Sequence, residues 1–301
     1  MNGFVALDWG TSSLRAARLD ADGRVLEQHD SGDGILHVPF GGFPAVFAAA
    51  VERWRLPPGT LCLASGMVGS RQGWIEAPYC PCPADFGAVA ARVAWVPDAP
   101  GGLRVGIVPG LSTEVRGVPD VMRGEEVQIF GAMRLLGLHD GVFIHPGTHS
   151  KWVRVEKDRI VAFATFMTGE VYGLLRRHSI IARTLPADDG PLDEPAFLRG
   201  VLHAREAASL LHGAFSGRTL ALFARLPDAV LPSYLSGLVI GEELRAHQLS
   251  NSGLHPVLVG AEALTRRYQL ALTAYGLQST VLGDVATWRG LAALAHALES
   301  A

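Results

Sequence analysis

Short apolar segments broken by turn residues open the chain. Apolar stretches at 4–8, 14–19 and 24–30 are separated by Gly, Ser and Asp at 10–13 and 20–23, the pattern of a three-strand meander. Beyond a break at 39–42, Phe43, Val46, Phe47, Val51 and Trp54 recur at helical spacing until Pro57 and Pro58 end the helix. A buried strand at 61–64 runs into a loop at 65–73 dense in glycine and hydroxyl groups. A helix is predicted at 85–93, a strand at 103–108, and a helix at 123–136 with acidic residues in its first turn and Arg134 near its end, as the helix dipole favours. The opening pattern then returns: strand 141–144, turn 145–150, strand 152–155, turn 156–159, strand 160–166. Helices are predicted at 168–183, 193–211, 231–248, 260–272 and 284–298, with a strand at 257–259 and an edge strand at 279–282.

Two such meanders about 135 residues apart, each opening a half of the chain, predict a duplicated α/β architecture with a cleft between the halves. The expected domains are 1–138 and 139–301, with the terminal helix packing back on the first. The 301 residues are 49% hydrophobic, enough for two cores. A net charge of −3 argues against nucleic acid as a partner. Glycine, at 35 residues, exceeds the average share of roughly 7% without any collagen-like period, which reads as tight turns and close backbone approaches to phosphate or nucleotide ligands. Three cysteines make no disulfide framework, and the N-terminus lacks a basic region followed by an apolar run, so a reduced, cytoplasmic protein is expected. Apolar runs such as 43–51 are too short to span a membrane, and the protein reads as soluble. Apolar positions on the terminal helix leave a homodimer open.

The strongest local signal is Asp8-Trp9-Gly10-Thr11-Ser12-Ser13 between two apolar strands. Amides of such a turn can bind phosphate oxygens, the Thr11, Ser12 and Ser13 hydroxyls add donors, and Asp8 at a strand end is placed to hold Mg²⁺ directly or through water. The same residues also suit a plain hairpin turn in which Asp8 and Thr11 satisfy backbone amides. A second turn, Pro146-Gly147-Thr148-His149-Ser150, stands at the equivalent place in the second meander and is followed by Lys151, whose charge is expected to be solvated. Other readings lose support. His145 and His149 sit on a turn with no obvious third zinc ligand, Cys80 and Cys82 are split by one proline rather than two residues, and neither a GxxxxGK[ST] loop nor a GxGxxG after a strand occurs. Glu242 and Glu243 beside Arg245 read as a solvated helix face.

In order and spacing, residues 8–13, 147–150 and 257–262 (VLVGAE) resemble the first phosphate, second phosphate and adenosine segments of the sugar kinase, Hsp70 and actin superfamily. Gly10, Thr11, Ser12, Ser13, Gly147, Thr148, His149, Ser150, Lys151, Gly260 and Ala261 are then the expected nucleotide contacts. The resemblance implies two ribonuclease-H-like domains, each a mixed five-stranded sheet flanked by helices, with the active site in the interdomain cleft and MgATP bound there. Within the superfamily, residues 8–16 (DWGTSSLRA), 64–78 (ASGMVGSRQGWIEAP), 119–131 (PDVMRGEEVQIFG) and 145–152 (HPGTHSKW) resemble the 2-dehydro-3-deoxygalactonokinases. That resemblance implies ATP-dependent phosphorylation of the 6-hydroxyl of 2-dehydro-3-deoxy-D-galactonate in galactonate catabolism.

Such chemistry needs a metal anchor, donors on the transferring group and a carboxylate facing the attacking hydroxyl. Asp8 supplies the anchor. Glu125 or Glu126, opening the helix after Arg123 and Gly124, is the expected carboxylate, with Asp120 a third candidate; both glutamates are also ordinary first-turn acids. A similar Gly-Glu-Glu helix start occurs in exopolyphosphatase relatives, which keeps a phosphohydrolase or nucleotide-triggered ATPase open beside the kinase, and a nonhydrolytic chaperone-like module as a third reading. A sugar acid asks for a cation. Arg71 is the expected one, with Ser65, Ser70, Gln72 and Trp74 around it and Arg123 as the second choice, although a solvated Arg71 fits the sequence equally.

Overall fold

The computed structural model describes residues 3–247, 254–283 and 285–299; Gln248 and Asp284, predicted ends of two helices, lie outside the described residues. The first meander is β1 (Phe4–Trp9), β2 (Leu14–Leu19) and β3 (Val25–Ser31), followed by α1 (Phe43–Val51) and β4 (Leu61–Ser65). Then come β5 (Cys80–Pro81), α2 (Phe86–Ala90), β6 (Ala94–Trp95), β7 (Arg104–Ile107), β8 (Leu111–Val115), β9 (Val118–Met122) and α3 (Glu125–Leu136). The second meander is β10 (Gly141–His145), β11 (Ser150–Glu156) and β12 (Arg159–Phe166), and the chain then turns helical with α4 (Thr168–His178), α5 (Glu194–Glu206), α6 (Leu210–Gly213), α7 (Ser216–Leu222) and α8 (Leu231–Ala246). It closes with β13 (Val257–Val259), α9 (Glu262–Ala274), β14 (Thr280–Leu282) and α10 (Val285–Glu299).

Among the described residues the strands form three sheets, ordered β3-β2-β1-β4-β7-β6, β12-β11-β10-β13-β14 and β5-β8-β9. Both large sheets place a meander on one side and later strands on the other. In each, the first strand pairs in parallel with a strand that follows helix, β1 with β4 and β10 with β13. This is the mixed-sheet, duplicated α/β fold expected. Strands β1 and β4 have apolar residues buried along nearly their whole length, as strands covered on both faces must.

Several expectations are corrected. The first large sheet has six strands rather than five, because the short β6 adds antiparallel to β7. The β8–β9 hairpin, unforeseen, turns on Arg116 and Gly117 with φ of 53° and 79°, the mirror-image turn whose twist suits a two-residue loop. The single helix predicted at 193–211 is two: Ala207 is extended, and Ser209 starts α6 by accepting from the His212 amide. The helix predicted at 168–183 stops at His178, where extended Ser179 caps a separate 3₁₀ turn by accepting from the Ile181 amide.

The chain divides into two compact units, Met1–Gly141 with Val153–Ala164 and Leu282–Ala301, and Val142–Trp152 with Thr165–Val281. The first unit's core gathers Val5, Leu7, Trp9, Phe47 and Ile107; the second's gathers Ile144, Phe197, Ile240, Leu258 and Leu272. Each unit also contains a helix pair in backbone contact through glycine. In the first, a methyl group on Gly131 of α3 would stand 1.8 Å from the Ala286 carbonyl oxygen, and one on Gly290 of α10 1.9 Å from that of Val127. In the second, Gly200 of α5 and Gly237 of α8 would meet the Tyr234 and Phe197 carbonyl oxygens at 2.1 and 1.9 Å. Only the missing side chains allow these axes to approach so closely.

Gly290→Ala must therefore spread α3 from α10 and should lower unfolding stability by roughly 1–3 kcal/mol. Gly32→Ala, with no atom near the added methyl, serves as the near-neutral control in thermal melts. Equal melting temperatures for the two variants would refute the close-packing argument.

Candidate functional site

In the first unit, β1 and β4 run parallel with Asp8 opposite Ser65, so both residues stand at the same end of the sheet. Gly66 follows with φ of 95°, where a side chain would collide with the Trp9 carbonyl oxygen at 2.9 Å. Gly124, at φ 108°, lies against it, and a Cβ there would sit 3.2 Å from the Gly66 Cα. Two glycines thus let the start of α3 press onto the strand ends. The Asp8 carboxylate accepts from Arg15 Nη2 at 2.5 Å and Nε at 3.2 Å, both on Oδ2. Arg15 is itself held by α10, near Thr287 Oγ1 at 3.4 Å and 5.8 Å from the Trp288 ring centre.

The turn after β1 closes by Gly10 N–H donating to the Ser13 carbonyl at 2.9 Å, and Thr11, Ser12 and Ser13 are exposed. It is braced from behind: Ile35 and Leu36 amides donate to the Gly10 and Thr11 carbonyls, and Trp9 Nε1 donates to the Asp33 carbonyl. Among the described residues no three His, Cys, Asp or Glu side chains converge as a metal cluster. A nucleotide-borne Mg²⁺ does not need one, since it takes one or two carboxylates and completes its shell with phosphate and water. Half-buried Asp8 beside a hydroxyl-rich turn fits that requirement.

The two helix-opening glutamates differ. Glu126 is 0% exposed and both its oxygens accept from the Gly124 amide, at 2.7 and 3.0 Å. Burial, and then the charge of Glu125, push its carboxyl up to about 8. Glu125 is half-buried and accepts from the Arg123 amide at 2.9 Å. Asp120 lies on β9 and binds the Val121 amide at 2.7 Å.

The cations also part company. The Arg71 side chain is 88% exposed and pairs with Glu76 at 3.1 Å, while exposed Gln72 follows it. Trp74 is turned into the core, its ring 5.4 Å from Phe47 and 6.3 Å from Trp9, so it forms no aromatic wall for the loop. Arg123 instead lies over the Tyr79 ring at 4.4 Å and donates from Nη2 to the Ala77 carbonyl at 2.8 Å. Its Nε and Nη1 are buried without a hydrogen-bond partner, as are the Ser65 and Ser70 hydroxyls. Nη1 stands against Gly69, where a methyl group would be 2.8 Å away. Unmet buried donors of this kind are costly unless a ligand meets them.

In the second unit, Gly147, Thr148 and His149 cap β10, with Thr148 and His149 exposed and Ser150 buried. The start of α4 is pressed onto this turn: the Glu170 amide donates to the Thr148 carbonyl at 3.0 Å, and a methyl on Gly169 would lie 2.6 Å from the Gly147 carbonyl oxygen. His149 Nε2 meets Glu170 Oε2 at 2.6 Å. Gly260, just past β13, faces Pro146 and His145, and Ala261 beyond it is exposed. Lys151 corrects the sequence reading: it is 5% exposed rather than solvated, with Nζ donating to Thr165 Oγ1 at 2.8 Å.

Beside the turn opens a cavity of about 250 Å³ whose walls include Gly147, Thr168, Gly169, Tyr172, Asp189, Ser236, Arg267 and Tyr268. Asp189 accepts from Tyr172 OH and Arg176 Nε, each at 2.6 Å; burial raises its carboxyl, but these bonds and the arginine charges outweigh it and leave the group below its ordinary range. Arg267 Nη1 donates to Ser236 Oγ at 2.7 Å. Sequence reasoning missed this wall, which comes from separate elements and carries no local motif. Glu243 is a further correction. Glu242 does pair with Arg245 at 2.5 Å, but Glu243 is 2% exposed and faces inward.

Residues 8–294 match the family described as 2-keto-3-deoxy-galactonokinase. The 2-dehydro-3-deoxygalactonokinase of Escherichia coli (strain K12) is 35% identical over 297 residues, 98% of each chain. A Rhizobium meliloti (strain 1021) protein provisionally given the same name is 37% identical over 299 residues, 98% of this chain and 97% of the relative. The crystal structure of a Sinorhizobium meliloti protein of that provisional name superposes with a TM-score of 0.88 at 35% identity, covering 99% of this chain and 98% of that one. Component A of (R)-2-hydroxyglutaryl-CoA dehydratase from Acidaminococcus fermentans, at 12% identity and a TM-score of 0.51 over 100% of this chain and 99% of that one, shares the fold alone. Matched along nearly its whole length, this chain belongs to the 2-keto-3-deoxy-galactonokinase family.

Proposed function

We propose that this chain is a kinase that transfers the γ-phosphoryl group of ATP to the 6-hydroxyl of 2-dehydro-3-deoxy-D-galactonate, a step of galactonate catabolism. Beyond family membership, the observation that carries the reading is Arg123. A guanidinium with buried, unpartnered Nε and Nη1, set against Gly69 next to the unpartnered Ser70, on a segment whose Gly124 packs on Gly66 next to the unpartnered Ser65, offers what the carboxylate and hydroxyls of a sugar acid require. The role of carboxylate anchor expected of Arg71 passes to Arg123.

Each unit contributes its own groups. In the first, Ser65, Ser70 and Arg123 bind the sugar acid, and the exposed hydroxyls of Thr11, Ser12 and Ser13 donate to phosphate oxygens. Asp8 would hold Mg²⁺, which when bound neutralises charge on the transferring phosphates. Glu125 accepts the proton of the 6-hydroxyl as that oxygen bonds to the γ-phosphorus and the bond from phosphorus to the leaving ADP oxygen breaks. Glu126, with no exposed surface, holds the first turn of α3 rather than touching substrate. In the second unit, Gly147, Thr148 and His149 grip phosphates, and the adjoining cavity takes the nucleoside, with Tyr172, Asp189 and Arg267 as its polar contacts.

ADP release with MgATP should be strongly stimulated by 2-dehydro-3-deoxy-D-galactonate and less by its gluco epimer; equal release without acceptor, or consumption of polyphosphate instead, would overturn the kinase reading. Arg123→Ala should raise KM for the sugar acid roughly tenfold or more, the scale of a lost charged hydrogen bond, with KM for ATP little changed. Arg71→Ala should move neither, and a larger effect there than at Arg123 would return the anchor to the loop. Glu125→Gln should cut kcat by roughly a hundredfold or more. Burial pushes the Glu126 carboxyl up to about 8 in the fold, against 4.5 for an unperturbed glutamate, so the stability linked to its raised value is full below 4.5 and is lost as pH rises through 8. Glu126→Gln should accordingly gain melting temperature over the parent between pH 6 and 9 and none at pH 4; parallel melting curves would contradict the burial argument.

A further inference from the structure

Glu243 stands within α8, in the second unit, and is almost wholly buried. Its carboxylate collects four side-chain donors from other elements. Oε1 accepts from Ser150 Oγ at 2.8 Å and from Trp152 Nε1 at 2.6 Å; Oε2 accepts from Tyr268 OH at 2.6 Å and from Thr168 Oγ1. A leucine of similar size would fill the space without the expense of burying a charged group, so packing alone gives no reason for a carboxylate here. The positions of the donors do. Ser150 closes the turn carrying Thr148 and His149. Thr168 opens α4, the helix pressed onto that turn, and Tyr268 belongs to α9, which starts just past Gly260. Thr168 and Tyr268 are also part of the cavity wall.

We infer that Glu243 is a positioning residue for the nucleotide: through Ser150, Thr168 and Tyr268 it sets the 147–150 turn and the cavity wall against each other without itself touching the ligand. The inference rests on the reading that this turn and cavity hold the nucleotide. It makes one buried side chain answerable for the geometry of three segments that are distant in sequence. A glutamine has the same shape but only one acceptor oxygen, so it must present an NH₂ group to two of the four donors. Trp152 Nε1 cannot reverse its role, and the amide oxygen is thereby drawn toward Trp152 and Ser150, leaving the Thr168 and Tyr268 hydroxyls to reorient.

Titration of MgADP into Glu243→Gln should give a Kd roughly fivefold or more above the parent's, the loss of about one net hydrogen bond. KM for the sugar acid should stay within about twofold. Ser150→Ala, which cuts the link to the turn and leaves the other three bonds, should show the same split and stands in should the glutamine variant fail to fold. Thr148→Val, exposed on the turn and outside the Glu243 set, tests the nucleotide reading by itself. If Thr148→Val weakens MgADP while Glu243→Gln and Ser150→Ala do not, the inference is overturned and the nucleotide reading stands. Should Thr148→Val leave MgADP binding unchanged, the reading falls and the inference with it. Equal losses for MgADP and sugar acid, together with a lower melting temperature, would mark Glu243 as a merely structural residue and also overturn the inference.

Discussion

The parallel register of β1 on β4 is the constraint from which the first unit's chemistry follows. Because the strands run the same way, they bring Asp8 and Ser65 out at one end of the sheet, whereas antiparallel pairing would put one residue at each end. Everything else at that end is fitted to those two residues. Gly66 must take a left-handed conformation so that the chain can turn past Trp9, and Gly124 must lack a side chain so that α3 can begin against Gly66. Arg123 and Glu125, on either side of Gly124, are carried to the strand ends by that contact. The proposed sugar-acid anchor and base therefore depend on a glycine-to-glycine approach as well as on the contacts that hold the Arg123 guanidinium.

The second unit repeats the parallel pairing in β10 and β13 but solves its positioning problem differently. Its turn runs into Ser150 and Lys151, both buried, and α8 and β12 supply the polar side chains of Glu243 and Thr165 to meet them. To the close glycine approach of Gly169 on Gly147, the second unit adds hydrogen bonds to interior polar groups. Such a network is costly when incomplete, and Glu243 has a donor for each of the four bonds given above. Its carboxyl nevertheless stays above the ordinary range, because burial outweighs the four donors.

Much of this was legible in the sequence. Both meanders, the glycine turns at Gly10 and Gly147 and the helix opening at Glu125 follow from apolar spacing and turn residues, which act locally. The β8–β9 hairpin escaped because its turn is Arg-Gly rather than the Asn-Gly or Asp-Gly that usually marks a mirror-image turn. The break at Ala207 escaped because the apolar spacing of 193–211 continues across it. The preference for Arg71 over Arg123 was a matter of loop composition, and only the contacts with Tyr79, Ala77 and Gly69 distinguish an arginine held in place from one in solvent.

Glu243 marks the limit most clearly. On α8, Glu242, Glu243 and Arg245 look like one charged surface, yet neighbouring residues on a helix point about 100° apart, and here that rotation separates a partly exposed ion pair from an interior carboxylate. Helical periodicity could have placed Glu243 on the stripe with Val239, Ile240 and Leu244, which are buried beside it. It could not have supplied the reason for a charge on that stripe. The reason lies in Ser150, Trp152, Thr168 and Tyr268, which are between 25 and 93 positions away along the chain and are brought together only by the fold. A buried acid is thus read from its partners, and its partners are set by the same strand pairing that forms the turn it supports.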